Sequence, residues 1–295
     1  MNTRFRPTPN SEPHVGHAWV AWRNYEAARG TGGTFTLLFD DLTYKAQCLD
    51  LDGPALDRMR EAWVAQLTWL FGEPPDVVAT SSDFAAEHAE ACAQLGIRQP
   101  WQRGAMRFTG DPAWEATPDT NPKVATATHP SLVVARVVDD ALLHVEGFVR
   151  GKDLQGECGL YDYLTRRLGY RPIRQLYVPT VTRASYPTGR KESKSDGACS
   201  LFALREAGYT PWQIIETLEE CNRRSRKAGL EQNVLPAGVL EPEAVSVLLS
   251  RVNEDLYRVA IDGVKGDPKR ESDVREAVRR RTAEARERGF TPWSY

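Results

Sequence analysis

The chain has 295 residues, of which 41% are hydrophobic and 26% charged, and its formal charge of −2 lacks the basic excess of an avid, non-specific nucleic-acid binder. No stretch approaches the ~20 apolar residues of a membrane span, and Met1 to Pro7 has no apolar signal-peptide core, so the expectation is a cytoplasmic enzyme of one or two domains. Five widely spaced cysteines (Cys48, Cys92, Cys158, Cys199, Cys221) form no C-x-x-C pair, which argues against a disulfide framework or a zinc knuckle.

Thr3 to Pro7 reads as short and extended. Pro13 then announces a helix from about His14 to Arg29, stopped by Gly30-Thr-Gly-Gly33. Thr34 to Phe39 reads as a buried strand ending in Asp40-Asp41, so the opening resembles a βαβ unit of a parallel sheet. A helix from about Ala55 to Phe71 places Leu56, Met59, Ala62, Trp63, Leu67 and Leu70 at helical spacing. Val77-Val-Ala79 follows as a short strand and Asp83 to Leu95 as a second amphipathic helix.

Gly96 to Pro130 shows no clear period and reads as an irregular insertion. Ser131 to Val138 reads as a strand ending in Asp139-Asp140, with a second strand over Leu142 to Val149, a helix over Leu154 to Leu168 and a short strand at Leu176-Tyr-Val178. Thr182 to Gly197 is a polar loop, and everything beyond Cys199 is helical in pattern. In the tail from Lys265 to Arg288, acidic residues are interspersed among basic ones, which fits a solvated helix face.

Two patterns carry chemistry. His14-Val-Gly-His17 opens the first helix, where free N–H groups and the positive dipole end receive phosphate, and two imidazoles one turn apart could stabilise charge on a triphosphate. Taken alone, the pattern is equally a chance pairing. Lys191-Glu-Ser-Lys-Ser195 lies in the polar loop beside Gly189 and Gly197 and suits a cationic grip on pyrophosphate, or an ordinary charged surface loop. There is no Walker A pattern, and Gly30 to Gly33 lacks dinucleotide-fingerprint spacing.

Together, in this order, H-x-G-H and K-x-S-K-S resemble the signature pair of class I aminoacyl-tRNA synthetases. Thr3 to His17 is similar to the opening of the glutamyl- and glutaminyl-tRNA synthetases, and Phe35 to Asp41 to their second strand. Val137 to Leu142, Val149 to Asp153 and Gly189 to Ala198 continue the likeness in the family's order. In length the chain looks like the stand-alone glutamyl-Q tRNA(Asp) synthetases of that family.

The resemblance implies a Rossmann-like α/β core that condenses ATP, with Mg2+, and an amino acid, most simply glutamate, into an aminoacyl-adenylate for transfer to tRNA or to a modified base of it. Other acceptors, or a catalytically silent binding protein, are the alternatives. It implies a catalytic core over 1–95 and 131–198, a shortened insertion over 96–130 and a helical region over 199–295, with no zinc, no anticodon-domain contacts, no membrane partner and a monomer. The residues it implies for ATP are Thr8, Pro9, His14, Gly16, His17, Arg150, Lys191, Ser193 and Lys194, of which His14, His17, Lys191 and Lys194 act on the transferring phosphate. For the amino acid it implies Arg4 and Arg150 on the side-chain carboxylate, Thr8 in the pocket wall and Asp40 on the ammonium group. Leu132 stands where these enzymes carry a tyrosine, and Arg136 and Arg6 stand where they carry small residues. Lys152 replaces an acidic or small residue. The added guanidiniums are expected to alter selectivity.

Overall fold

A computed structural model describes residues 1–9, 12–42, 54–101, 105–107, 125–126, 132–183, 200–236 and 239–240. Lys191, Ser193, Lys194 and the Lys265 to Arg288 tail lie outside these residues. The chain divides into two compact units. One comprises Met1–Arg6, Asn24–Thr43 and Val77–Tyr177; the other comprises Pro7–Arg23, Tyr44–Asp76 and Val178–Tyr295.

The first unit is built on a five-stranded sheet. Its strands are β1 (Thr3–Phe5), β2 (Phe35–Phe39), β3 (Val77–Thr80), β7 (Gly147–Gly151) and β8 (Arg174–Val178), in the order β3-β2-β1-β7-β8. β1 pairs in parallel with both β2 and β7, and β2 in parallel with β3. The chain thus leaves β1 toward β2 and β3 and later returns on the opposite side as β7. β1 is therefore the switch point of the sheet, where ligands of open α/β folds bind beyond the carboxyl ends of the strands. Every residue of β1, β2 and β7 is buried, which explains the near-continuous apolar run Phe35-Thr-Leu-Leu-Phe39. Gly33 is required by packing: a Cβ there would lie 2.3 Å from the Met1 carbonyl oxygen.

Helix α1 (Val15–Arg29) follows β1 as expected and carries a fully buried asparagine. The Asn24 amide donates to the Val149 carbonyl and accepts from the Val149 N–H, both at 2.8 Å, while the Thr3 hydroxyl donates to the Asn24 carbonyl. One side chain on the helix thereby satisfies a peptide of β7.

The segment read as a strand over Ser131 to Val138 is instead helix α4 (Leu132–Leu142), placed after α2 (Pro54–Phe71) and α3 (Ala85–Gln94). Val133, Val134, Val137 and Val138 recur as adjacent pairs one turn apart, and all four are buried in a cluster with Ala91, Leu95, Phe148, Tyr161 and Leu164. This packing overrides the strand preference of β-branched side chains. A helix also lets Arg136, Asp139 and Asp140 sit apart from that apolar face, where strand alternation would interleave Arg136 with Val134 and Val138.

Three further expectations change. The insertion contains an antiparallel sheet of β4 (Arg98–Trp101), β5 (Ala105–Arg107) and β6 (Ala125–Thr126), whose two- to four-residue strands and register shift leave no sustained alternation to read. The second strand begins at Gly147, not Leu142, and the following helix opens as a tight turn, Lys152–Glu157, before α5 (Cys158–Arg167).

In the second unit, β9 (Thr180–Arg183) pairs in parallel with β10 (Gln232–Leu235), so the region past Cys199 is not wholly helical. The helices of that unit include α2, with Trp63 and Leu67 fully buried, the short α6 (Leu201–Glu206) and α7 (Pro211–Lys227). Helix α7 opens with Pro211 and a reciprocal Thr210–Gln213 capping box, which satisfies two otherwise orphaned N–H groups.

Candidate active site

The first unit holds a buried network of arginines and carboxylates. Arg6, Asp40 and Arg150 lie at or just past the carboxyl ends of the adjacent strands β1, β2 and β7, and α4 supplies Arg136, Asp139 and Asp140. Arg4 is bound bidentately to Asp140, Nε to Oδ1 at 2.8 Å and Nη2 to Oδ2 at 2.9 Å. The Tyr161 hydroxyl donates to the same Oδ2 at 2.8 Å, and the Arg4 guanidinium lies 4.2 Å from the centre of the Phe148 ring. Burial works against the charge of Arg4, but Asp140 outweighs it and raises the guanidinium above its ordinary value. Burial and then Asp140 push Tyr161 upward, so it is a hydrogen-bond donor at any working pH.

Arg6 is held by a second set. Its Nη2 donates to Ser81 Oγ at 2.8 Å and pairs with Asp139 Oδ2 at 3.2 Å, while its Nε lies 3.7 Å from Asp40 Oδ2. The Ser81 hydroxyl donates to Asp139 Oδ2 and His88 Nε2 to Asp139 Oδ1, each at 2.6 Å. Asp40 is 3% exposed, and its Oδ1 has no hydrogen-bond donor among the described residues. A buried carboxylate oxygen in this state has capacity for a cationic donor.

Arg136 and Arg150 converge on a single oxygen, Glu157 Oε2: Arg150 Nη2 donates at 2.8 Å, and Arg136 Nη1 makes the other contact. Burial, then the neighbouring charges of Arg6 and Arg150, lower Arg136 to about 10. Although burial opposes its ionisation, Glu157 is held below the usual carboxylate range by Arg136 and Arg150. Of the residues implied for the amino acid, Arg4, Asp40, Arg136 and Arg150 are thus in one charged neighbourhood, with Arg4 engaged by Asp140. Leu132 is the first residue of α4 and half-buried. Lys152 is exposed.

Ser81, His88, Phe148, Glu157 and Tyr161 carry this network without having been singled out from the sequence. The one advance signal was the acidic pair Asp139-Asp140 after an apolar run. Charge that directly follows so much buried surface calls for a buried partner.

The second unit holds the histidine pair. His14 immediately precedes α1, its carbonyl accepting the Ala18 N–H at 2.9 Å. The His14 and His17 rings stack with centroids 3.8 Å apart, and His17 lies 5.0 Å from the fully buried Trp63. The Gly16 N–H donates to His14 Nδ1 at 3.1 Å, and the His14 N–H to His17 Nδ1 at 3.4 Å. Both rings accept through Nδ1, which in the neutral form places the ring proton on Nε2. Glycine at position 16 makes room for the histidine: a Cβ would come 2.9 Å from His14 Cε1.

The residues before His14 are tied to the segment that follows the K-x-S-K-S pattern. His14 and Ser200 form an antiparallel bridge, the Leu201 N–H donates to the Pro13 carbonyl at 2.8 Å, and Ser200 also hydrogen-bonds Glu12. Burial raises the Glu12 carboxyl, while that Ser200 contact lowers it. Thr8 is half-buried and Pro9 buried in the same unit. Among the described residues, no group of three or more His, Cys, Asp or Glu side chains is arranged to hold a metal ion, and no helix is long and apolar enough to cross a membrane.

The chain is similar over part of its length to class I aminoacyl-tRNA synthetases. Residues 1–95 match the family model described as tRNA synthetases class I (E and Q), catalytic domain. The glutamate–tRNA ligase of Burkholderia multivorans is 26% identical over 269 residues, covering 74% of this chain and 57% of the ligase. The chain thus spans little more than half the length of that relative. The glutamyl-Q tRNA(Asp) synthetase of Deinococcus radiodurans is 28% identical over 258 residues, covering 73% of this chain and 86% of the relative. A crystal structure of a glutamate tRNA ligase from Elizabethkingia meningosepticum, in complex with its amino acid, superposes with a TM-score of 0.59 at 14% identity over 100% of this chain and 81% of that one. At that identity the match establishes the fold.

Proposed function

We propose that this chain activates glutamate with ATP to give glutamyl-adenylate and pyrophosphate, and passes the glutamyl group to a tRNA. One observation supports the reading: the stacked His14–His17 pair at the start of α1 is bridged to Ser200, which lies downstream of the K-x-S-K-S pattern in the sequence.

In the forward step, an oxygen of the amino acid's α-carboxylate attacks the α-phosphorus of ATP, an O–P bond forms, and the bond to the β-phosphate oxygen breaks. Pyrophosphate leaves with the electron pair. The Nε2–H donors of His14 and His17, with Lys191 and Lys194, stabilise the negative charge that builds on the phosphate oxygens. Such preorganised donors supply the catalysis without a protein nucleophile. Mg2+ enters with ATP as part of the nucleotide substrate. Asp40, with its undonated buried oxygen, receives the ammonium group, and the cationic side chains at the strand ends receive the side-chain carboxylate.

Transfer to a modified base of tRNA is the narrower form of this reading. It is motivated by the likeness to the glutamyl-Q tRNA(Asp) synthetase, 28% identical over 258 residues. ATP–pyrophosphate exchange, run without tRNA over all twenty amino acids, tests the activation step. Glutamate-dependent exchange is expected, and exchange with none of them would overturn the reading. Transfer of labelled glutamate to total tRNA, followed by mild alkaline deacylation and nuclease mapping, then separates the terminal ribose from a base as the acceptor.

A further inference from the structure

The two arginine–carboxylate contacts of the first unit differ in kind. Arg4 and Asp140 are 3% and 1% exposed and share two hydrogen bonds, so neither partner can reach water. Arg136 and Arg150 are likewise buried, at 11% and 7%, yet the oxygen they share belongs to Glu157, whose side chain is 36% exposed. The anion is therefore several times more exposed than either cation.

The contact is also incomplete. Arg150 donates to Glu157 through Nη2 alone, and its Nη1 has no hydrogen-bond partner among the described residues. Arg6 leaves Nη1 undonated in the same way. A guanidinium bound through one nitrogen can still accept the two-point contact that carboxylates make best. Glu157 ends the tight turn Lys152–Glu157, whose N-terminal neighbour is the last residue of β7, so its side chain can swing outward while the strand that carries Arg150 stays in place.

We propose that Glu157 is a built-in counter-anion that an incoming carboxylate ligand displaces from Arg136 and Arg150. The inference rests on the proposed activation of glutamate in naming the ligand, a dicarboxylic amino acid that enters by its side-chain carboxylate. It extends that proposal to Arg136 and Glu157. One carboxylate replaces another, so the guanidiniums are never left buried and unpaired, which is the costly state. The exchange also discriminates. A neutral side chain cannot replace Glu157 without leaving two positive charges uncompensated, so amide and apolar amino acids are rejected before any chemistry.

Glutarate, which has the two carboxylates of glutamate and no amino group, is the probe, titrated calorimetrically into the full chain without ATP. Glu157→Gln removes the competing charge and is expected to bind glutarate at least about tenfold more tightly than the parent, while neutral glutaramide gains nothing. Adding Arg136→Gln to that variant is expected to return glutarate affinity to the parent level or below. If Glu157→Gln does not fold, Glu157→Asp, which is one methylene shorter, should give a smaller gain. The idea is overturned if a folded Glu157 variant binds glutarate no more tightly than the parent, or if the gain survives the loss of Arg136. Pyrophosphate exchange is scored separately: absent exchange with a present glutarate gain refutes the activation reading and leaves the carboxylate exchange standing.

Discussion

The histidine pair and the arginine–carboxylate network are built in opposite ways. His14, Gly16 and His17 hydrogen-bond one another across two or three residues of sequence. The network joins groups 136, 75 and 51 residues apart. The first is set mainly by neighbouring residues, a helix start, a glycine and two rings, with Ser200 and Trp63 adding contacts from farther along the chain. The second exists only once the sheet and α4 have formed. A site made locally can lose its chemistry with little loss of fold, whereas a site made from long-range buried charge pairs cannot.

Asp140→Ala should show this most strongly. It strips both hydrogen bonds from Arg4 and the acceptor from Tyr161, leaving a buried guanidinium without its partner, and is expected to cost about 3–5 kcal/mol in urea unfolding. His17→Ala should do the reverse. Pyrophosphate exchange should fall by about 10²–10³-fold, the size of effect seen when one preorganised donor is removed, while the urea midpoint moves far less than in Asp140→Ala. Equal losses of stability in the two variants would erase the contrast.

Gly16→Ala tests whether the histidine pair depends on space. The added methyl meets His14 Cε1 at 2.9 Å, so a loss of about 1–3 kcal/mol is expected by overpacking, together with reduced exchange. A fully active, fully stable alanine variant would show that the ring can shift at no cost.

The smallest expected effect is an acid-side slope. Because Arg136 and Arg150 hold the Glu157 carboxyl below its ordinary value of 4.5 against the opposition of burial, its ionised form favours the folded state. That contribution is present above the unfolded-state value and is lost as pH falls through the folded one. Urea midpoints measured between about pH 6 and about pH 3 should therefore drop less steeply in Glu157→Gln than in the parent.

The same contrast explains what could be read from the sequence. The parallel βαβ opening, the helix at Ala55 to Phe71 and the H-x-G-H pattern are written in neighbouring residues and were legible. Helix α4 was not, because four valines read as strand until Ala91, Leu95 and Phe148 are known to receive them. The engagement of Arg4 by Asp140 is equally hidden: the sequence shows an arginine within a short strand and an acidic pair far downstream, with nothing local to join them. Glu157 gave no signal at all, since a glutamate in a glycine-bearing turn is ordinary until two guanidiniums are found on it.

Asn24 has a reach beyond its own helix. By accepting and donating at Val149, it does for β7 what an additional strand would do, and the next residue in β7 is Arg150. The direction in which that guanidinium leaves the sheet is thus steered from α1 by a carboxamide that touches no reactant. Asn24→Asp, which turns the amide donor into an oxygen facing the Val149 carbonyl, would be felt as a misaimed arginine. It would surface as a raised KM for the amino acid, although the altered side chain lies in the middle of a helix.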